Sequence, residues 1–102
     1  VKYIDIFYMF HVTATVKKAA AKTINRMGRN DAKRILAAIR ALGDNPDMKG
    51  AGKIKNTNTL YRYRVGGRRI IFSREGYDID ILDVMARGQS YDIRRLQKLD
   101  KD

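Results

Sequence analysis

The residues best suited to chemistry lie between Met48 and Arg74, where eight Lys and Arg side chains occur without a single Asp or Glu. Within that stretch, Leu60-Tyr61-Arg62-Tyr63-Arg64-Val65-Gly66-Gly67-Arg68-Arg69-Ile70-Ile71-Phe72 reads as two strands joined at a glycine pair. Successive side chains of a strand point to opposite faces, so Arg62 and Arg64 share one face while Tyr61, Tyr63 and Val65 share the other. If the strands pair as a hairpin, Arg69 joins the arginines across the ladder. Like charges opposed across strands repel, so such a row does nothing for folding. It suits a strongly anionic ligand, because guanidinium groups clamp phosphate oxygens in pairs. An acidic protein laid on the same face would satisfy it equally well. Arg68 points away from Arg69 and reads as ordinary surface.

The elements that must position this row follow from the pattern around it. Phe10 to Thr15 alternates loosely as a first strand. Val16, Ala19, Ala20, Ile24 and Met27 recur at helical spacing, with Gly28 as a stop. Asn30 or Asp31 then caps a second helix with Ala32, Ile35, Leu36, Ile39 and Leu42 on one face, and Gly43-Asp44-Asn45-Pro46 ends it. Two amphipathic helices on a short connection form a hairpin that needs a sheet to cover its apolar faces. Asp47 to Asn58 is a polar loop carrying Lys49, Lys53 and Lys55. Beyond the arginine strands, Ser73 to Asp78 is a turn and Ile79 to Met85 a last strand, with Ile70, Phe72 and Leu82 in the core. A short basic helix from Ile93 to Leu99 carries Arg94, Arg95 and Lys98, which face either solvent or RNA. The expected order is β-α-α-β-β-β-(α), an α+β fold with a helical hairpin on a small, mostly antiparallel sheet.

A chain of 102 residues fits one domain covering residues 1–102. Met9-Phe10-His11-Val12 is a plausible start, which makes residues 1–8 an upstream extension; the alternative is that Tyr3, Ile4, Ile6 and Phe7 add a strand. Residues 93–102 form the terminal helix and tail. The net charge of +11 and pI near 10.2 point to nucleic acid, an acidic protein partner, or both. Zero cysteines removes disulfides and thiolate metal sites and suits a reducing cytoplasm. No apolar run is long enough to span a bilayer, so no membrane role is expected.

In this order and at these spacings, the helical hairpin ending in Asn45-Pro46, the strand Leu60 to Gly66, Arg69-Ile70-Ile71-Phe72, and Arg87-Gly88-Gln89-Ser90-Tyr91 resemble the RelE/ParE superfamily of bacterial and archaeal toxins. The resemblance covers about residues 9–92. It implies the toxin of a toxin–antitoxin pair, bound by an acidic antitoxin. In the RelE branch the toxin enters the ribosomal A site and cuts mRNA. That branch's basic pair on the second strand corresponds to Arg62 and Arg64, its third-strand arginine to Arg69, and its terminal basic residue and tyrosine to Arg87 and Tyr91. Two positions depart: Met85 stands where some members carry arginine, and Ala86 where others carry histidine. The ParE branch shares the fold, lacks the nuclease set and is associated with DNA gyrase poisoning. Arg87 and Tyr91 favour the RelE branch; the two departures keep the ParE branch open.

Metal-free RNA cleavage turns the ribose 2′-OH on the adjacent phosphate, which needs a proton acceptor, a proton donor and positive charge at the transition state. No cofactor is expected. The chain has one histidine, His11, on the probable first strand, and one glutamate, Glu75, in a turn. Neither has an obvious partner. Arginine keeps its proton, so it can clamp phosphate but not act as base. A tyrosine among cations is favoured as phenolate. Tyr91 is therefore the candidate base, Arg69 the clamp on the scissile phosphate, Arg62 and Arg64 the neighbours, and Arg87 the leaving-group stabiliser. Lys53 or Lys55 supplies a proton if the loop folds inward, and Lys49, Lys53, Lys55, Arg94 and Arg95 are candidate RNA contacts. Such modest chemistry depends on substrate placement, which the ribosome would supply.

Overall fold

The computed structural model describes residues 14–86 and 93–100. Expectations that fall on Phe10 to Thr13 of the first strand, on His11, on Arg87 and Tyr91, and on residues 1–8 lie outside the described residues. Strands β1 (Ala14–Val16), β2 (Gly52–Lys53), β3 (Leu60–Val65), β4 (Arg68–Glu75) and β5 (Asp78–Met85) form one sheet in the order β1-β5-β4-β3-β2. Helices α1 (Lys18–Arg26) and α2 (Arg29–Asp44) follow β1, and α3 (Ile93–Leu99) follows β5. The α+β architecture expected from the sequence is the one observed.

Several local details differ from expectation, each for a physical reason. Val16 is the last residue of β1, paired with Ile81, and the amide of Lys17 donates to the carbonyl of Ile81 at 2.8 Å. The helix therefore starts later, and Ala19 faces solvent. Gly28 is no left-handed stop: at φ −62° it is the extended N-cap of α2, without a side-chain cap. Asp31 lies in the first turn of α2, where a carboxylate suits the helix dipole. Within the expected loop, Gly52 and Lys53 pair with Arg62 and Tyr61 as an edge strand.

The helical hairpin covers one face of the sheet. Ala20 and Ile24 of α1 and Ala32, Ile35, Ile39 and Leu42 of α2 pack with Ile70, Phe72, Ile79, Ile81 and Val84. Tyr61, Tyr63 and Val65 pack against the same core, and Tyr61 stacks on its cross-strand partner Phe72 with ring centroids 5.6 Å apart. The other face has a smaller cluster of Ile54, Leu60, Ile71, Met85 and Leu96, so α3 lies over it. Between β4 and β5 the register slips after Ile71, leaving Leu82 as the extra residue. A bulge of this kind sets two neighbours on one side of the strand. Leu82 accordingly packs half-buried against the α3-side cluster, not in the main core.

Candidate functional site

The alternation of β3 sorts its side chains as the period of a strand requires. Tyr61, Tyr63 and Val65 go to the helical core; Arg62 and Arg64 are exposed on the opposite face. Register then completes the row, because Arg64 lies directly opposite Arg69 and Arg62 opposite Ile71. The turn that brings the strands together needs Gly66, whose φ of +59° is costly for residues with a Cβ.

Each arginine is held differently. The Nε of Arg64 donates to the carbonyl of Gly66 at 3.0 Å, which curls the side chain toward the turn. Arg62 has no hydrogen-bond or ion-pair partner among the described residues. Its guanidinium lies over Gly52, where a Cβ would overlap Nη1. Gly52 is thus the clearance that seats Arg62, and nothing in the sequence signals it, because a strand of two residues has no readable period. Arg69 is half-buried between Arg64 on β3 and Met85 on β5.

Met85 explains one departure from the superfamily pattern. It is 5% exposed and packs with Leu60, Ile71 and Leu96 beneath α3. A charged side chain at that position would be desolvated under the helix. Ala86, the other departure, is exposed.

Helix α3 is anchored beside the arginines. Leu96 is buried, and Nη1 of Arg95 pairs with Oδ2 of Asp83 at 2.9 Å. The carboxylate of Asp100 accepts from the amide and hydroxyl of Thr59, each at 2.6 Å, and from the amide of Asn58. Arg95 thus ties the helix to the sheet, whereas Arg94 and Lys98 are exposed. Lys49, Lys53 and Lys55 are exposed too. Lys53 pairs with Tyr61 and so stands on the helical side of the sheet, away from Arg62, which removes it as a proton donor at the arginine row. Glu75 sits at the far end of β4 from Arg69, roughly 20 Å away along the strand. Arg68 is more than ordinary surface: its side chain turns to the helical side and meets Asp31 at 4.0 Å. Among the described residues, no group of three His, Cys, Asp or Glu side chains is placed to hold a metal ion. No described helix is long and apolar enough to cross a membrane.

This geometry has relatives. The family model described as the ParE toxin of the type II toxin–antitoxin system parDE matches residues 12–91. The chain belongs to this toxin family. It is therefore a type II toxin of the RelE/ParE superfamily, in agreement with the resemblance read from its motifs.

Among the solved structures similar in fold to this toxin are RelE and YoeB toxins. In the archaeal RelE–RelB complex from Pyrococcus horikoshii, the similar chain has 24% identity and a TM-score of 0.62, covering 76% of this chain and 96% of that one. The isolated E. coli RelE toxin has 12% identity and a TM-score of 0.63, with 84% and 95% covered. The YoeB dimer from Staphylococcus aureus has 20% identity and a TM-score of 0.59, with 76% and 95% covered. At these identities the likeness speaks for the fold alone. No curated protein matches the chain in sequence.

Proposed function

We propose that this toxin is a ribosome-dependent mRNA endonuclease, cutting by attack of a ribose 2′-OH on the adjacent phosphate. The observation that carries the reading is the arginine row. Arg62, Arg64 and Arg69 stand together on one sheet face; of the β5 carboxylates on that face, Asp83, opposite Ile71, is engaged by Arg95, and Asp80 and Asp78 lie further along, opposite Ser73 and Glu75. Arg62 and Arg64, which meet no carboxylate among the described residues, suit the negative charge of a phosphorane-like transition state. Arg69 is assigned to the scissile phosphate and Arg62 and Arg64 to the flanking ones. Tyr91 and Arg87, the candidate base and leaving-group stabiliser, enter on the superfamily motif alone. The partners in this reading are mRNA held on the ribosome and an acidic antitoxin. The antitoxin is supported by the family and by the RelB chains that accompany RelE in the complexes of similar fold.

A second reading has its own observation: the family model that matches is that of ParE. In that reading the toxin inhibits DNA gyrase, and the arginine row is a binding surface with no bond cleaved. The two readings separate in one pair of assays on the purified chain, primer extension on programmed ribosomes and supercoiling by gyrase. The endonuclease reading expects a discrete cut in the A-site codon, lost in Arg69→Ala, with supercoiling unaffected. Inhibited supercoiling beside an intact message would overturn it.

A further inference from the structure

A second pair of guanidinium groups lies on the opposite side of the sheet from Arg62 and Arg64. Asp31, Arg34 and Ile35 share one face of α2 by their spacing. They look across at Val65, Gly67 and Arg68 of the β3–β4 hairpin, and the six side chains and backbone segments enclose a cleft of about 210 Å³. Its apolar lining is the half-buried Val65, beside an Ile35 that is almost wholly buried. Its rim is cationic. Arg68 reaches Asp31 only at 4.0 Å, and Arg34 has no hydrogen-bond or ion-pair partner among the described residues. The guanidinium of Arg34 lies over Gly66, where a Cβ would come within 2.9 Å of Nη2. Two guanidinium groups thus face one carboxylate in a mainly polar cleft, one positive charge in excess.

We propose that this cleft docks an acidic peptide segment, with one Glu or Asp carboxylate set between Arg34 and Arg68 and an adjoining apolar side chain against Val65. The mixture of groups selects a peptide over a nucleic acid. Asp31 repels a phosphodiester at close range but accepts a peptide N–H, and the half-buried Val65 beside it suits a peptide's apolar side chain. The space is several times the share of one water, about 30 Å³, which admits a carboxylate side chain. That the segment belongs to the antitoxin rests on the toxin reading above; the binding itself does not. The site also stands apart from the arginine row, so holding the toxin and masking its arginines become separable functions of one partner.

The test follows the Nε–H resonances of Arg34 and Arg68 and the methyl groups of Ile35 in labelled protein. The probe is a short synthetic peptide alternating Glu with Leu, set beside the same peptide with Gln for Glu. The proposal expects the Glu peptide to move those resonances and to bind at least about tenfold more tightly than the Gln peptide, the size of one charge-assisted pair. Arg34→Gln and Arg68→Gln should each cost most of that advantage, whereas Arg62→Gln should not. Equal binding of the two peptides would overturn the proposal, as would shifts centred on Arg62 and Arg64. Inorganic phosphate moving the same resonances as strongly at equal ionic strength would also overturn it, in favour of a nucleic-acid contact. Loss of mRNA cleavage in Arg69→Ala bears on the endonuclease reading and leaves this site untouched.

Discussion

Arg62 and Arg64 differ from Arg68 and Arg74 in little but the face they point to, yet the two pairs live in different electrostatic worlds. All four belong to one hairpin. Arg74 is 15% exposed, pairs with Asp47 at 2.5 Å, donates twice to the carbonyl of Gly76 and lies over the Tyr61 ring at 5.4 Å. Arg68 turns to Asp31 of α2. Arg62 and Arg64 turn the other way and meet no carboxylate among the described residues. Asp31 of α2 and Asp47 just beyond it serve the helical side, whereas on the opposite face Asp83 is taken by Arg95 and Asp80 and Asp78 lie further along the sheet. Folding thus uses one set of arginines and leaves the other for a ligand.

Variants in each set should fail in opposite ways. The largest effect is expected from Arg62→Ala combined with Arg64→Ala. Cleavage on programmed ribosomes should fall on the order of 100-fold, the usual loss of a transition-state donor, while the melting temperature stays within a few degrees. Binding to free RNA should also lose salt dependence, by about 0.7 in the log–log slope for each arginine removed. An unfolded double variant would break the division between the sets.

Arg74→Ala should show the reverse pattern. Losing the ion pair, the two bonds to Gly76 and the contact with Tyr61 should cost about 2 kcal/mol. In thermal denaturation that corresponds to a melting temperature lower on the order of 10 °C for a domain of this size. A melting curve that does not move would contradict a structural role for Arg74.

The sorting of arginines was legible because it depends only on the period of a strand, and the glycine pair Gly66-Gly67 fixed where the chain turns back. The helical hairpin was legible for the same kind of reason, with Ile35, Ile39 and Leu42 at helical spacing and all buried. What escaped was contact between distant segments. The pairing of Gly52 with Arg62, the bulge that moves Leu82 off the main core, and the seating of Leu96 on Met85 leave no periodic trace. Asp100 looked like part of a charged tail, though it bonds a loop forty-one residues away at Thr59. Arg87 and Tyr91 stand where the sequence left them, as motif matches.

Smaller effects sharpen the picture around the row. Asp100→Asn removes the charge from the group that accepts from Asn58 and Thr59, so α3 should loosen by about 1 kcal/mol. Hydrogen exchange should show this as faster exchange in 93–99 with little change in β4 and β5; uniform destabilisation would contradict a local anchor. Asp31→Asn should be the mildest. An ion pair at 4.0 Å with 29% and 52% of its side chains exposed contributes no more than about 0.5 kcal/mol, so urea denaturation should barely register its loss.

The division between structural and ligand-facing arginines is tested most directly by primer extension of a defined mRNA on programmed ribosomes. Wild type and the Arg62→Ala/Arg64→Ala variant would be run side by side, with EDTA present and free mRNA as control. The account predicts a discrete cut within the A-site codon by the wild type, absent from free mRNA and nearly abolished in a variant that melts like the wild type. An undiminished cut by the folded variant, or an intact message with a wild-type protein that still arrests growth, would contradict it.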